Sequence, residues 1–116
     1  MRYMVTFLTD DEVVTAVPPA QMEGVVNRHD TVTRERQAKG KYVCCARLRP
    51  AAEARTIRLV GSRRAVSGGA AGLAGERLSG FYIVESESPE EAVEWAMKLP
   101  QLEGVVTEVR LIWEMA

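Results

Sequence analysis

The chain has a single imidazole, His29, and it interrupts an apolar run that reads as one face of a helix. A histidine exchanges a proton near neutral pH, and burial beside a carboxylate would set its tautomer and its pKa. Asp30 is its neighbour in sequence and therefore stands about 100 degrees round a helix from it, which makes it a poor direct partner. An orienting acid must come from elsewhere in the chain, with Glu76 and Glu85 as candidates. The simpler alternative is a histidine that closes a core or subunit contact through a satisfied hydrogen bond.

Charge is the second source of chemistry. The whole chain carries a net charge of -1, yet residues 34–64 hold ten of its 15 Lys and Arg side chains and two of its 16 Asp and Glu. Arg47 and Arg49 sit in this segment, and a guanidinium offers the planar pair of donors that a carboxylate or phosphate accepts. Charge runs are more often solvated or paired faces, so the basic hairpin is expected to meet the acidic second helix (Glu90, Glu91, Glu94), within the subunit or across a dimer. Nucleic-acid binding would want aromatics among the basic residues, and Tyr42 is the one aromatic in the segment, so no nucleic acid is expected as a partner.

The two cysteines, Cys44 and Cys45, are adjacent. On a strand their side chains point to opposite faces, which excludes an ordinary disulfide between them, and without a third cysteine or second histidine a Cys/His zinc site is excluded too. Cys44 is expected to face the core with Ala46 and Leu48, leaving Cys45 beside Arg47; a packed small side chain is a simpler reading than a nucleophile. Gly69 to Glu76 is glycine-rich but has neither the Lys-Ser/Thr ending of a P-loop nor the order of a dinucleotide fingerprint, and reads as a flexible lid. With no metal, redox or phosphate-binding motif, no cofactor is expected.

These residues must be positioned by a small number of elements. At 116 residues, 47% of them hydrophobic, the chain has room for one domain, 1–116, with a sheet and helices on one face. Tyr3 to Leu8 reads as a strand closed by a polar turn at Thr9 to Asp11. After Pro18 and Pro19, Met22, Val25, Val26, His29, Val32 and Thr33 form one helical stripe that should stop at Gly40. Tyr42 to Leu48 is a second strand, and Arg55 to Val60 with Arg64 to Val66 a hairpin about Gly61-Ser62. Phe81 to Glu85 is a strand, and Ser88-Pro89-Glu90-Glu91 is a capping box opening a helix with Ala92, Trp95, Ala96 and Leu99 on its buried face. Beyond Gly104, Val105, Thr107, Val109, Leu111 and Trp113 alternate with Glu108, Arg110 and Glu114 as a half-buried strand. The order strand, helix, strand, hairpin, strand, helix, strand implies an α+β, ferredoxin-like fold: an antiparallel sheet with two helices on one face. Neither a signal peptide nor a membrane-spanning run is evident, so a cytoplasmic protein without membrane contact is expected.

Several segments together resemble the YCII-related family in its DGPF-containing branch: Met1-Arg2-Tyr3-Met4, Gly40 with the strand ending Arg47-Leu48-Arg49-Pro50, Glu76-Arg77-Leu78-Ser79-Gly80-Phe81-Tyr82-Ile83-Val84-Glu85, and Glu108 to Met115. The resemblance implies a ferredoxin-like subunit that pairs into a dimeric α/β barrel, with a cleft between sheet and helices or at the subunit boundary. It also implies lyase or dehydrochlorinase-type chemistry resting on a histidine and an aspartate. His29 stands eleven residues before Gly40, the spacing of the family's helix-borne histidine, so the acid/base role transfers to it by position. The naming motif itself has diverged: the positions that would read Asp-Gly-Pro-Phe are Gly68, Gly69, Ala70 and Ala71, the charged residues beyond become Leu73 and Gly75, and Glu76, Leu78 and Gly80 survive. That removes a charge and a wall from the loop. The expectation is a small homodimer whose cleft binds a compact anionic or aromatic metabolite. His29 is its proton donor or acceptor, and Arg47, Arg49, Glu76 and Tyr82 bind substrate in a cofactor-independent lyase or isomerase step. The rival is a non-catalytic binding or accessory module that kept the fold after losing the motif.

Overall fold

The computed structural model describes residues 1–114. Strand β1 (Arg2–Thr9) is followed by a short helix α1 (Asp11–Thr15), the long helix α2 (Pro19–Ala38) and strand β2 (Tyr42–Arg47). A single 3-10 turn (Ala51–Glu53) leads into the hairpin β3 (Arg55–Val60) and β4 (Arg63–Gly68). The chain closes with β5 (Arg77–Glu85), α3 (Pro89–Ala96) and β6 (Val106–Leu111). Strands β1, β2, β5 and β6 form one antiparallel sheet in the order β2-β5-β1-β6, and β3-β4 stands as a separate two-stranded sheet. This is the ferredoxin-like α+β arrangement that the element order implies.

Alternation along the two central strands decides which face is covered. Tyr3 and Val5 of β1 lie opposite Val84 and Tyr82 of β5, and all four are buried beneath the helices. Val32 of α2, Ala92, Trp95 and Ala96 of α3, and Leu99 in the turn after α3 complete the core. Met4 and Thr6, one residue out of phase, point to the opposite face, where no helix of the described residues lies.

Local chemistry explains the helix ends. Pro19 opens α2, and Gly40, with φ +69, closes it: the Gly40 N–H donates to Gln37 O and the Lys41 N–H to Arg36 O, a Schellman arrangement. In α3 the Ser88 hydroxyl accepts from the Glu91 N–H at 3.1 Å, as the capping box requires. The return bond is displaced by one residue, since the Glu91 carboxylate accepts from the Glu87 N–H at 2.9 Å.

Four expectations change. Asp11 begins a helical turn where a polar turn was expected, since α1 needs no buried face to form. Strand β5 begins at Arg77, four residues ahead of Phe81, because β1 continues to pair with it through a bulge after Phe7. The last strand ends at Leu111, and Trp113 is 91% exposed, so the apolar alternation there outlasts the pairing. Met115 lies outside the described residues. The basic hairpin does not meet the acidic helix within the chain: Glu91 is held by Lys41 at 2.7 Å and Arg36 at 3.5 Å, from the segment's first half. Ile57, Leu59 and Val66 of the hairpin are exposed.

Candidate functional site

The site grows from three rings on three elements. Phe7 of β1 and Tyr82 of β5 stand on the covered face of the sheet, and His29 comes down from α2 above them. The His29 ring stacks on Tyr82 with 15° between planes and 5.8 Å between centroids, while Phe7 meets both edge-on at 5.7 and 6.0 Å. His29 Nδ1 lies 2.9 Å from the Tyr82 hydroxyl, and Thr33, one helical turn after His29, donates its hydroxyl to the same oxygen at 3.3 Å. Burial pulls the His29 pKa below its ordinary 6.5 and pushes the Tyr82 phenol up, the Thr33 hydrogen bond partly offsetting the latter. His29 is therefore neutral at pH 7.

The rings border a cavity of about 380 Å³, lined mainly by apolar side chains that include Met22 and Val25 of α2, Leu48, Leu102 and Val105. That volume suits a small organic molecule. Polar groups enter at its edges: Arg47 and Cys45 from β2, Asp11 from α1 and Ser79 from β5. The Asp11 carboxylate accepts from the Ala51 and Ala52 N–H groups at 2.8 and 3.2 Å, tying the 3-10 turn to the rim. Its neighbour Asp10 accepts from the Gly75 N–H at 2.6 Å, so the glycine-rich loop is anchored at its end.

Two strand details shape the wall. The β2–β5 register shifts between Tyr42 and Cys44, which puts both Tyr42 and Cys45 on the covered face and Cys44, opposite Ile83, on the open one. Cys44 therefore does not face the core, contrary to a strict alternation from Tyr42, although Cys45 does share a face with Arg47. The Tyr42 hydroxyl donates to Cys45 Sγ at 3.2 Å, and this contact raises the phenol to about 12. Gly80 is buried opposite Arg47 and Phe7, and a Cβ there would stand 3.0 Å from Ala46 O. The wall is open at that point because the residue has no side chain.

A model of the YCII-related domain matches residues 1–116. The chain belongs to the YCII-related family. No curated protein matches it.

In this YCII-related chain the sequence-derived candidates divide. His29, Arg47, Arg49 and Tyr82 all line the cavity. Arg47 makes no ion pair among the described residues, whereas Arg49 is turned to Glu53 at 3.2 Å. Glu76 is exposed and stands outside the cavity lining. Neither suggested acid partners His29: Glu85 is bound to Arg2 at 2.9 Å, and the imidazole meets a phenol instead. Asp30, as its position round the helix implies, pairs with Arg34 at 3.0 Å.

Sequence reasoning missed Phe7, Thr33 in its hydrogen-bonding role, Asp11 and Gly80. Thr33 carried a usable signal, since it follows His29 by four residues on one stripe. Phe7 also had one, being in phase with Tyr3 and Val5. Asp11 had none, because its partners are backbone groups forty residues away. Among the described residues no group of three or more His, Cys, Asp or Glu gathers as a metal site needs, and no helix is long and apolar enough to cross a membrane.

Proposed function

We propose that this YCII-related protein binds a compact anionic or aromatic metabolite in the cavity beneath α2, with His29 exchanging a proton with it in a lyase or isomerase type of step. The observation that carries the reading is the hydrogen-bonded His29–Tyr82 pair at the border of a largely apolar cavity that also has Arg47 on its wall. Apolar walls bury a ring or short carbon skeleton, and an unpaired guanidinium at the edge takes its carboxylate. An imidazole with a pKa below its ordinary value is neutral at pH 7 and still holds one ring proton, which it can give to an oxygen of the ligand.

A second reading has its own support. Among the described residues no carboxylate pairs with His29 to stabilise an imidazolium during turnover, which favours a binding or accessory module over an enzyme. In either case the protein acts as a homodimer, for which the uncovered face with Met4 and Leu8 is the available surface, and its two free cysteines fit a reducing compartment such as the cytoplasm.

Titration of the His29 imidazole by NMR, against a panel of small carboxylates, phenols and phosphates, tests both readings. Movement of its resonances with one class, followed by turnover of that class lost in His29→Ala, supports the enzyme. Binding without turnover supports the module. No response to any compound overturns the cavity as a small-molecule site.

A further inference from the structure

The Tyr82 side chain is 7% exposed, and its hydroxyl has two neighbours, His29 Nδ1 at 2.9 Å and Thr33 Oγ1 at 3.3 Å. A phenol has one proton to give. The Thr33 hydroxyl donates to the phenol oxygen, so the phenol proton is left for Nδ1. The reverse arrangement, with a proton on Nδ1, would turn the phenol proton from Nδ1 to Thr33 and give up the O–H···N bond for a weaker N–H···O one. It would also pair the groups against their acidities, because the imidazole lone pair is a much better acceptor than a phenol oxygen. Nδ1 therefore accepts, and the neutral ring carries its proton on Nε2.

Nε2 makes no hydrogen bond among the described residues and is not one of their buried unpartnered polar atoms, so it keeps accessible surface on a residue that lines the cavity. We infer that Thr33 and Tyr82 are positioning residues that fix His29 as the Nε2–H tautomer, so that the cavity presents a hydrogen-bond donor and selects a ligand with an oxygen acceptor, a carboxylate or carbonyl, at that point. The ligand half of this inference rests on the proposed small-molecule site; the tautomer half does not. Arg47 then discriminates among acceptors by charge, favouring carboxylate over amide carbonyl.

The tautomer is read on the free protein by two-bond proton–nitrogen correlation of the one histidine, at a pH well above its titration. The expected wild-type spectrum has a protonated Nε2 and a bare, hydrogen-bonded Nδ1, with the Nε2–H form in about tenfold excess or more, the bias of one net hydrogen bond. Tyr82→Phe should move the Nδ1 resonance to that of an unbonded ring nitrogen; Thr33→Val should reduce the bias and Thr33→Ser restore it. A wild-type ring protonated on Nδ1 overturns the inference outright, even if Tyr82→Phe fails to fold. An Nδ1 resonance unmoved in a folded Tyr82→Phe also overturns it.

The ligand half is read with benzoate, benzamide and benzylamine. Benzoate and benzamide should shift the Nε2 proton downfield at saturation, benzoate at the lower concentration, and benzylamine should not. Binding of benzoate that leaves this proton unmoved overturns the selection by His29. If none of the three binds while the tautomer is as stated, the small-molecule reading falls and takes the ligand half with it, and the positioning roles of Thr33 and Tyr82 stand.

Discussion

Arg36 reaches from the last turn of α2 to α3, where its guanidinium carbon lies 5.8 Å from the centroid of the Trp95 ring. The same side chain donates to Glu85 O and, at 3.5 Å, to Glu91, and it is 4% exposed. It thus joins both helices to the end of β5, although its position on the helical stripe looks like one for an apolar residue. Arg36→Ala should destabilise the fold by roughly 3 kcal/mol, through the lost bonds and the space left against Trp95. Arg36→Met, which keeps the stem, should cost less. The shift of the urea midpoint measures both.

The Glu91 carboxylate is held well below its ordinary 4.5, at about 2, first by the Lys41 hydrogen bond and then by the Glu87 N–H. A folded pKa below the unfolded one means that this contribution is complete above pH 4.5 and is lost as pH falls toward 2. Stability should therefore drop across that window, and the drop should be smaller in Glu91→Gln. Urea unfolding at a series of acid pH values gives the slope for each.

Much of this architecture was legible because period and punctuation agreed. The stripe through Val32, the Schellman end at Gly40 and the cap at Ser88 depend on residues close in sequence, so local chemistry determined them. The cavity was legible in part. His29, Tyr82 and Arg47 converge as their element positions imply, whereas the partner of His29 was sought among acids and proved to be a phenol on a strand more than fifty residues away. No local rule distinguishes a carboxylate from a tyrosine at such a distance. The bulge that turns Cys45 inward was equally hidden, because a one-residue register shift leaves no compositional mark in Tyr42 to Arg47.

His29 gives a second pH dependence, distinct from that of Glu91. Burial lowers its folded pKa beneath the unfolded 6.5, so its stabilising share is complete above 6.5 and is lost as pH falls through the folded value. Unfolding between pH about 8 and about 5 should show this loss. His29→Gln, which does not titrate, should remove that step while leaving the acid limb from Glu91 in place.

Gly80 and Gly68 make a matched pair. Added methyl groups differ sharply between them, since a Cβ at Gly80 meets Ala46 O at 3.0 Å and one at Gly68 meets nothing within 4 Å. Gly80→Ala must spread β2 from β5 and narrow the cavity, costing about 1–3 kcal/mol and weakening any ligand that lies against Phe7. Gly68→Ala, in ordinary strand geometry, should be neutral or slightly stabilising. Thermal unfolding separates the two, and equal effects would show that the Gly80 wall yields freely.

The uncovered sheet face makes a prediction about assembly. Met4, Thr6 and Leu8 lie there together with Glu108 and Arg110, and no helix of the described residues covers the Met4 and Leu8 side chains. Pairing of two copies across it would bury Met4 near the centre, where truncation or charge is most costly. Met4→Glu should raise the dimer dissociation constant by at least about tenfold, equivalent to about 1.4 kcal/mol, and Met4→Leu should leave it near wild type. Sedimentation across a concentration series measures this directly. A wild-type chain that stays monomeric throughout, or a Met4→Glu dimer as tight as wild type, would remove the sheet face from the assembly and leave the exposed hairpin residues Ile57, Leu59 and Val66 as the next surface to alter.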